Sequence, residues 1–305
     1  MLNIIGKKNW YFLFSLVIIL PGLISLFIWG LKLSIDFTGG SRMTFVFPKT
    51  VNEQTVTDVK SVLTKEQIEI VTVQTSGNQL SLRTKAINEK KNAAVITAIK
   101  KEVGDFKQDS FETIGPIIGQ EVTSNALKAT LLSSFLIVLY IAWSFRSVPK
   151  PLSSWRFGIC AIVALIHDVL LLLGIFSLLG HFFNVEVDSL FVTALLTVVG
   201  FSVHDTIVVF DRIRENLRRT VGVPFPQLVN DSILQTLVRS LNTSLTAMLV
   251  LCTMLIFGGE TLKWFIVALL IGIASGTYSS IFNASALLVL WDELDRKRRA
   301  RKNSV

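Results

Sequence analysis

Long runs of apolar residues recur along the chain and are separated by polar stretches. Six of them are close to or above the roughly 20 residues that a helix needs to cross a hydrocarbon layer of about 30 Å. They lie at about 10–30, 127–145, 157–179, 190–210, 241–257 and 264–291. The pattern therefore predicts an α-helical membrane protein with six transmembrane helices.

The residues between the first and second runs follow a pattern that is typical of a domain folded in water. Apolar residues alternate at Met43, Phe45 and Phe47, as in a strand, and recur at helical spacing at Val95 and Ile99. The successive patterns predict the order βαββαβ, the split arrangement of ferredoxin-like α+β domains. At roughly 80 residues such a domain has a small core, so we expect marginal independent stability.

A further amphipathic segment, residues 222–240, precedes the fifth run. Val229, Ile233 and Leu237 recur at helical spacing among polar residues. Such a helix lies along a membrane interface or is tucked under the bundle as a surface helix, and the pattern favours neither position.

Basic residues cluster beside the apolar runs on one side of the predicted membrane. That side carries Lys7, Lys8, Arg146, Lys150, Arg156, Arg212, Arg214, Arg218, Arg219, Arg296, Lys297, Arg298, Arg299, Arg301 and Lys302. The opposite short loops carry only Lys263. Because loops rich in Lys and Arg stay in the cytoplasm, both termini of this multi-pass protein are predicted to lie on the cytoplasmic side of the cell inner (cytoplasmic) membrane.

These patterns divide the chain into four parts. Residues 1–30 form a cytoplasmic N-terminus with the first transmembrane helix, and residues 31–122 an extracytoplasmic ferredoxin-like domain. Residues 123–292 contain transmembrane helices two to six, and residues 293–305 are a basic cytoplasmic tail.

Composition agrees with a membrane protein and excludes several other classes. Of 305 residues, 51% are hydrophobic and 17% charged, and the mean hydropathy is +0.57. The net charge of +8 does not indicate a nucleic-acid partner, because the basic residues flank apolar runs and form no basic face with interleaved aromatics. Cys160 and Cys252 lie inside apolar runs and build neither a disulfide framework nor a metal site.

Two aspartates lie inside apolar runs: Asp168, beside His167, and Asp205. An ionised Asp inside a membrane helix costs about 2.5–3.5 kcal/mol on insertion scales. A carboxyl group in such surroundings can change between neutral and charged forms when water or a cation approaches. Both are therefore candidate proton carriers, although a hydrogen-bonded contact between helices explains Asp168 equally well.

Polar neighbours extend this candidate site. His204 precedes Asp205, and a histidine there is more often a hydrogen-bonded packing residue than a relay member. Arg239 stands at the mouth of the fifth run, before Asn242 and Thr243. It is either a flank that follows the positive-inside rule or a partner that reaches inward, in which case its permanent charge would act on Asp205.

Small residues mark surfaces for close helix packing. Gly272 and Gly276 form a GxxxG motif in the last run, with Ser275, Ser279 and Ser280 nearby. Gly200 is one of the small residues that precede Asp205, and we assign it to helix packing as well.

Several passages resemble the SecD/SecF family of secretory translocase subunits. Residues 35–40 (IDFTGG) and 112–119 (ETIGPIIG) resemble family motifs, and residues 199–216, which end in DRIREN, are nearly a SecF signature. Residues 239–246 (RSLNTSLT) agree with it, as do residues 276–282. The insertion after the first run is too short for SecD, so the resemblance favours the SecF branch of the family.

The resemblance implies an accessory role in protein export. Family members pair with SecD, associate with the SecYEG channel and use the proton motive force to draw unfolded preproteins outward; a YajC-like accessory subunit and membrane lipid are further implied partners. No cofactor is implied beyond the ion gradient, of H⁺ or alternatively Na⁺. In the family, the residues at the positions of Asp205 and Arg239 are implicated in proton conduction at the interface with SecD, whereas the role of Asp168 is less settled.

Candidate hinge and turn residues flank the insertion: Asp36, Gly39 and Gly40 at its start, and Gly115 and Gly119 at its end. We hypothesise that proton uptake in the bundle lets helices rearrange and that the domain swings on these hinges, gripping and releasing exported chain.

Three other functions are considered. A structural scaffold that is independent of ions stays open. A small-molecule efflux transporter of the resistance-nodulation-division superfamily is disfavoured, because the insertion is too small for a drug-sized pocket. An intramembrane aspartyl protease is disfavoured because the contexts of Asp168 and Asp205 lack YD and GxGD motifs. The sequence thus predicts no enzyme, no catalytic residue and no metal site.

Overall fold

The computed structural model describes residues 2–146, 153–220 and 222–302. Lys150, one of the basic residues predicted to be cytoplasmic, and the end of the basic tail at 303–305 lie outside the described residues. The chain divides into two compact units. The bundle unit comprises Met1–Leu31, Ala129–Val185 and Leu190–Val305, and the sheet unit comprises Lys32–Lys128 and Glu186–Ser189.

Helices and strands follow one another along the chain in a simple order. The helices are α1 (Lys8–Ile28), α2 (Ile35–Thr38), α3 (Glu53–Lys65), α4 (Glu89–Glu102), α5 (Pro116–Ser144), α6 (Ser154–Phe183), α7 (Ser189–Arg219), α8 (Phe225–Phe257), α9 (Glu260–Tyr278) and α10 (Ser285–Lys302). The strands are β1 (Gly40–Val46), β2 (Ile70–Ser76), β3 (Gln79–Thr84) and β4 (Lys107–Ile114).

Six helical stretches in the described part of the chain are long and apolar enough to cross a membrane. They are α1 with the short 3₁₀ turn before it, α5, α6, α7, α8, and the stretch formed by α9 and α10 together. Each coincides with one of the apolar runs to within two residues at its end or contains it, so the prediction of six candidate spanning helices is confirmed. Most of the helices extend beyond the apolar runs, because polar residues continue the helical backbone past the apolar part.

The amphipathic segment at 222–240 does not form a helix of its own. It leads into α8, which continues without a break from Phe225 to Phe257. Leu228, Val229 and Ile233 are buried in the core of the bundle unit. The segment is therefore tucked against the bundle, as the second of the two interpretations has it, but as the first half of a continuous helix.

The last apolar run is interrupted by a π-helical segment, Ser279–Ala284, which joins α9 to α10. Ser279, Ser280 and Asn283 in this segment are buried. A π-helical turn admits one extra residue and is frequent at functional sites. The segment therefore brings three polar side chains into the interior of the bundle unit.

The sheet unit contains a four-stranded antiparallel sheet with the strand order β2-β3-β1-β4. Asn52 and Asn88 cap α3 and α4, because their side chains accept hydrogen bonds from the backbone N–H groups of Thr55 at 2.8 Å and Lys91 at 2.9 Å. The strands and both helices share one core, formed by Met43, Phe45, Phe47, Val59, Val62, Leu63, Ile68, Leu80, Leu82, Val95, Ile99 and Phe106.

The passage at residues 35–40 makes a tight turn into β1. Gly39 and Gly40 have φ of +71° and +124°, which favour glycine. A Cβ added at Gly40 would lie 2.7 Å from the carbonyl oxygen of Thr84, and one added at Gly119 would lie 2.8 Å from the backbone nitrogen of Gly39. Glycine is thus required here for both conformation and close backbone approach.

Asp36, in the same turn, caps the start of α7. Its Oδ2 accepts hydrogen bonds from the backbone N–H of Ser189 at 2.9 Å and from the Ser189 hydroxyl at 2.6 Å. An acidic side chain at a helix N-terminus is stabilised by the helix dipole.

Gly115 differs from the other glycines predicted to act as hinges, Gly39, Gly40 and Gly119. A Cβ added at Gly115 would meet no atom within 4 Å, whereas one added at any of the other three would lie close to backbone atoms.

Small residues bring α1 and α6 into backbone contact. A Cβ added at Gly22 would lie 2.8 Å from the Cα of Gly174, and one added at Gly174 would lie 2.8 Å from the Cα of Gly22. One turn further on, the hydroxyls of Ser25 and Ser177 are 2.7 Å apart. This pair of Gly-x-x-Ser patterns is a typical membrane-helix contact.

We expect Gly22→Ala to lower the stability of the bundle unit by about 1–3 kcal/mol, because the new methyl group would meet backbone that cannot rotate away. The measurement is thermal unfolding of the purified full chain in detergent, followed by tryptophan fluorescence. Gly200→Ala is the matched control, because a Cβ there meets nothing within 4 Å. Equal unfolding midpoints for the two variants would contradict this account.

The glycines predicted to pack between helices fall into two groups. A Cβ at Gly272 would collide with the side chain of Val198, and one at Gly276 would lie 3.0 Å from the Cβ of Ser202. Both therefore lie at a close contact between α9 and α7. Gly200 is exposed, and the packing role predicted for it finds no contact among the described residues of this chain.

Candidate functional site

Asp168, on α6, is completely buried and accepts four hydrogen bonds. Its Oδ1 lies 2.7 Å from the hydroxyl of Ser275 and 3.0 Å from Nδ1 of His167. Its Oδ2 accepts hydrogen bonds of 2.6 Å from the hydroxyls of Ser202 and Ser279. The carboxylate is thus held by α7, α9 and the π-helical segment, with two donors on each oxygen.

His167 continues this network toward α1. Its Nε2 lies 3.0 Å from the hydroxyl of Ser15 and 3.1 Å from Nδ2 of Asn283. The same Nδ2 donates to the Ser15 hydroxyl at 2.7 Å. The Oδ1 of Asn283 is buried and has no hydrogen-bond partner among the described residues.

Asp205, on α7, has a simpler environment. It is 2% exposed, and the hydroxyl of Thr277 donates to its Oδ2 at 3.2 Å. The hydroxyl of Ser244, on α8, lies 2.5 Å from that of Thr277. Among the described residues no lysine or arginine forms an ion pair with Asp205, so neutral hydroxyl groups are its hydrogen-bond partners.

Hydroxyl groups also connect the surroundings of the two acids. Thr206, next to Asp205, has its hydroxyl 2.7 Å from that of Ser280. Ser280 donates in turn to the carbonyl oxygen of Ser202 at 3.0 Å, and the Ser202 hydroxyl binds Asp168. These contacts connect Thr206, the residue next to Asp205, to the hydrogen-bond network of Asp168.

Arg239 lies apart from both acids in this chain. It is exposed on α8, and the described residues supply no carboxylate partner for its guanidinium group. Asn242 and Thr243 are also exposed, and Thr243 bonds only back to the carbonyl oxygen of Arg239, at 2.9 Å. His204 is likewise exposed.

Sequence reasoning identified both carboxylates but missed the residues that complete the network of Asp168. His167 entered only as a neighbour, and Ser15 and Asn283 were not considered. One signal was available: Ser275, Ser279 and Asn283 recur every four residues in the last apolar run, which puts three polar groups on one helix face. Within the described residues, no cluster of His, Cys, Asp and Glu has the composition of a metal site.

Comparison with known proteins gives a consistent result. The family model described as "Protein export membrane protein SecD/SecF, C-terminal" matches residues 94–294, and the "SecD/SecF GG Motif" matches residues 24–51. A protein translocase subunit SecF from Thermobaculum terrenum is 47% identical over 315 residues, covering 99% of this chain and 98% of the relative. A protein translocase subunit SecF from Anaerolinea thermophila is 43% identical, covering 96% and 94%.

Solved structures of longer proteins match as well. The crystal structure of SecDF, a translocon-associated membrane protein, from Thermus thermophilus superposes with a TM-score of 0.83 at 34% identity and covers 96% of this chain. A SecDF structure in the super-membrane-facing form gives a TM-score of 0.70 and covers 99% of this chain. This chain spans 39% and 40% of those two chains.

Proposed function

This chain belongs to the SecD/SecF family of protein export membrane proteins, and from that premise we propose that it works with SecD to promote preprotein translocation by using the proton motive force. The observation that carries the proposal is the burial of Asp205 inside the bundle with only hydroxyl partners. A carboxyl group in this position is satisfied by hydroxyls in either protonation state, because a hydroxyl can both donate and accept.

Proton uptake at Asp205 supplies the driving energy in this mechanism. One charge that moves through 100 mV is worth about 2.3 kcal/mol, which biases a two-state element by well over tenfold. Thr277 and Ser244 offer a hydroxyl path between Asp205 and α8. Asp168 is the second member of the proposed relay, connected to the surroundings of Asp205 through Ser202.

The face of α8 that carries Arg239 supports a partner chain in the membrane. Arg239, Asn242, Thr243 and Thr246 are all exposed on it. A charged and polar face on a helix that crosses hydrocarbon is costly unless another protein covers it. We infer that SecD covers this face and that Arg239, with Asn242 and Thr243, completes the relay there. His204 stays a candidate neighbour of this site.

The remaining parts of the proposal concern topology and the exported chain. We propose that both termini are cytoplasmic and that residues 31–122 form an extracytoplasmic ferredoxin-like domain. In this mechanism the domain holds and releases unfolded preprotein, and the junction at Asp36, Gly39, Gly40, Gly115 and Gly119 is the hinge. SecYEG, a YajC-like subunit and lipid are the further proposed partners, and Na⁺ is the alternative to H⁺ as the coupling ion.

The test is export of a secretory preprotein into inverted membrane vesicles that carry this chain, SecD and SecYEG. We expect Asp205→Asn to remove the gradient-dependent part of export and to leave the gradient-independent part unchanged. Asp211→Asn on the same helix is the matched control, because its side chain is 54% exposed and pairs with Arg214.

Both outcomes are informative. Loss in the Asp205 variant alone, with normal assembly of the complex, supports proton coupling through this residue. Export equal to that of the parent chain would instead support an ion-independent scaffold in which Asp205 is a packing residue. A response to a sodium gradient in place of a proton gradient would change the ion and keep the site.

A further inference from the structure

Within the described residues, His167 is a partly buried histidine that stands between a carboxylate and an amide. Its Nδ1 faces Asp168 and its Nε2 faces Asn283. We propose that His167 is a second proton-binding site of the bundle, that Asp168 takes part in the relay as the counter-ion of His167, and that the side-chain amide of Asn283 reverses when His167 takes up the proton.

The hydrogen bonds of Asp168 match an ionised carboxylate. Ser202, Ser275, Ser279 and His167 together place two donors on each of its oxygens. A protonated carboxyl group would carry its own hydrogen toward one of these donors and would force that donor to turn away. The free lone pair for an incoming proton is therefore at Nε2 of His167, on the other side of the ring.

Asn283 provides the means to distinguish the two states of His167. As the side chain stands, Nδ2 points at Nε2, which suits a neutral ring with a bare Nε2, and Oδ1 is buried without a partner. In the reversed amide, Oδ1 would accept from a protonated Nε2 and from the Ser15 hydroxyl. The two ends of an amide have nearly the same shape, so the reversal changes little packing.

The two orientations of the amide are closely balanced in hydrogen bonding. Each leaves one buried amide atom of Asn283 without a partner, Oδ1 in one case and Nδ2 in the other. The penalty for an unsatisfied buried group therefore applies to both. Protonation of His167 decides between them, because Nε2–H repels the Nδ2–H₂ group and attracts Oδ1.

Few other titratable groups face His167. From α1, the neutral hydroxyl of Ser15 faces the ring. Tyr11, also on α1, accepts a hydrogen bond of 2.8 Å from the Tyr278 hydroxyl at its backbone carbonyl oxygen. The ring of Tyr278, on α9, lies 6.5 Å from that of His167. The elements α7 and the π-helical segment contribute neutral groups, so Asp168 is the carboxylate in contact with the ring.

The site has a direct route to the rest of the bundle. Asn283 lies in the same π-helical segment as Ser280, which contacts Thr206 beside Asp205. A change at Asn283 can thus reach the helix that carries Asp205. This consequence for export rests on the proposed function, whereas proton binding by His167 does not.

The test uses the full chain in lipid nanodiscs, labelled with ¹⁵N-histidine and followed by solid-state NMR over about pH 5 to 8. The chain has three histidines, so His181→Gln and His204→Gln assign the signals. We expect His167 to change from a ring protonated at Nδ1 alone at high pH to a ring protonated at both nitrogens at low pH.

The variant Asn283→Leu removes the acceptor and should move the midpoint of His167 protonation to lower pH by about one unit or more. Asn242→Leu, on the exposed face of α8, is the matched control and should leave it in place. A ring of His167 that keeps Nε2 bare over the whole range in the parent chain would overturn the proposal, and so would equal midpoints in the two variants. Neither result depends on export, so the Asp205→Asn experiment would still stand by itself.

Discussion

Replacing Glu186 by alanine is expected to destabilise the sheet unit by roughly 3 kcal/mol or more. Arg42 on β1 and Arg83 on β3 are directly opposite each other in the sheet, and like charges in that position repel. Glu186 accepts from Arg42 Nη2 at 2.5 Å and from Arg83 Nη1 at 3.1 Å. One carboxylate therefore bridges two guanidinium groups and reduces the repulsion that would otherwise oppose the pairing of their strands.

Burial makes this effect large. The side chain of Glu186 is 10% exposed and that of Arg83 is 9% exposed. Removal of Glu186 leaves the buried Arg83 without its carboxylate partner, which costs more than the pair itself contributes. Arg42 is more exposed and still has Glu112 opposite it on β4. Arg83 keeps a hydrogen bond of 2.7 Å to the carbonyl oxygen of Leu33, but that bond does not offset the repulsion from Arg42.

Amide hydrogen exchange of the full chain, read by mass spectrometry on peptides from β1 and β3, measures this loss locally. Protection should fall by roughly two orders of magnitude in Glu186→Ala. Glu69→Ala is the matched control, since Glu69 pairs with Lys85 at a site where both side chains are more than 60% exposed and such pairs contribute about 0–1 kcal/mol. Addition of Arg42→Gln to Glu186→Ala should restore part of the protection; no recovery would mean that repulsion between the arginines is not the cause.

The second large effect is expected at Arg239. We predict that Arg239→Gln reduces the gradient-dependent part of export by roughly tenfold or more, because loss of one partner from a charge pair buried at the proposed interface with SecD would cost about 2–5 kcal/mol. The prediction assumes that the exposed face of α8 is covered by SecD in the complex. Within this chain the described residues leave the guanidinium group without a carboxylate.

Arg239→Lys separates charge from geometry at this position, and Arg219→Gln is the matched control. Arg239→Lys keeps the charge but loses the planar fork of five donors, so export between that of the parent and that of Arg239→Gln is expected. Arg219→Gln removes an arginine whose side chain is 72% exposed and should leave export unchanged. If Arg239→Gln behaves like Arg219→Gln, Arg239 is a flank that orients the chain during insertion and has no part in the relay.

The sequence by itself determined the elements that depend on local patterns. Hydropathy over about 20 residues located the six spanning helices, and the alternation at Met43, Phe45 and Phe47 identified a buried strand. It also singled out Asp168 and Asp205, because an ionisable residue in an apolar run is costly and therefore conspicuous.

Only the tertiary structure decided which polar groups meet. Ser15 and Asn283 are 268 residues apart in sequence, and both reach His167 because α1, α6 and the π-helical segment turn particular faces toward one another. Glu186 becomes part of the sheet unit although it lies in the short connection between α6 and α7. Hydropathy is a property of neighbouring residues, whereas these contacts depend on the rotation and packing of whole helices, and no local pattern records that rotation.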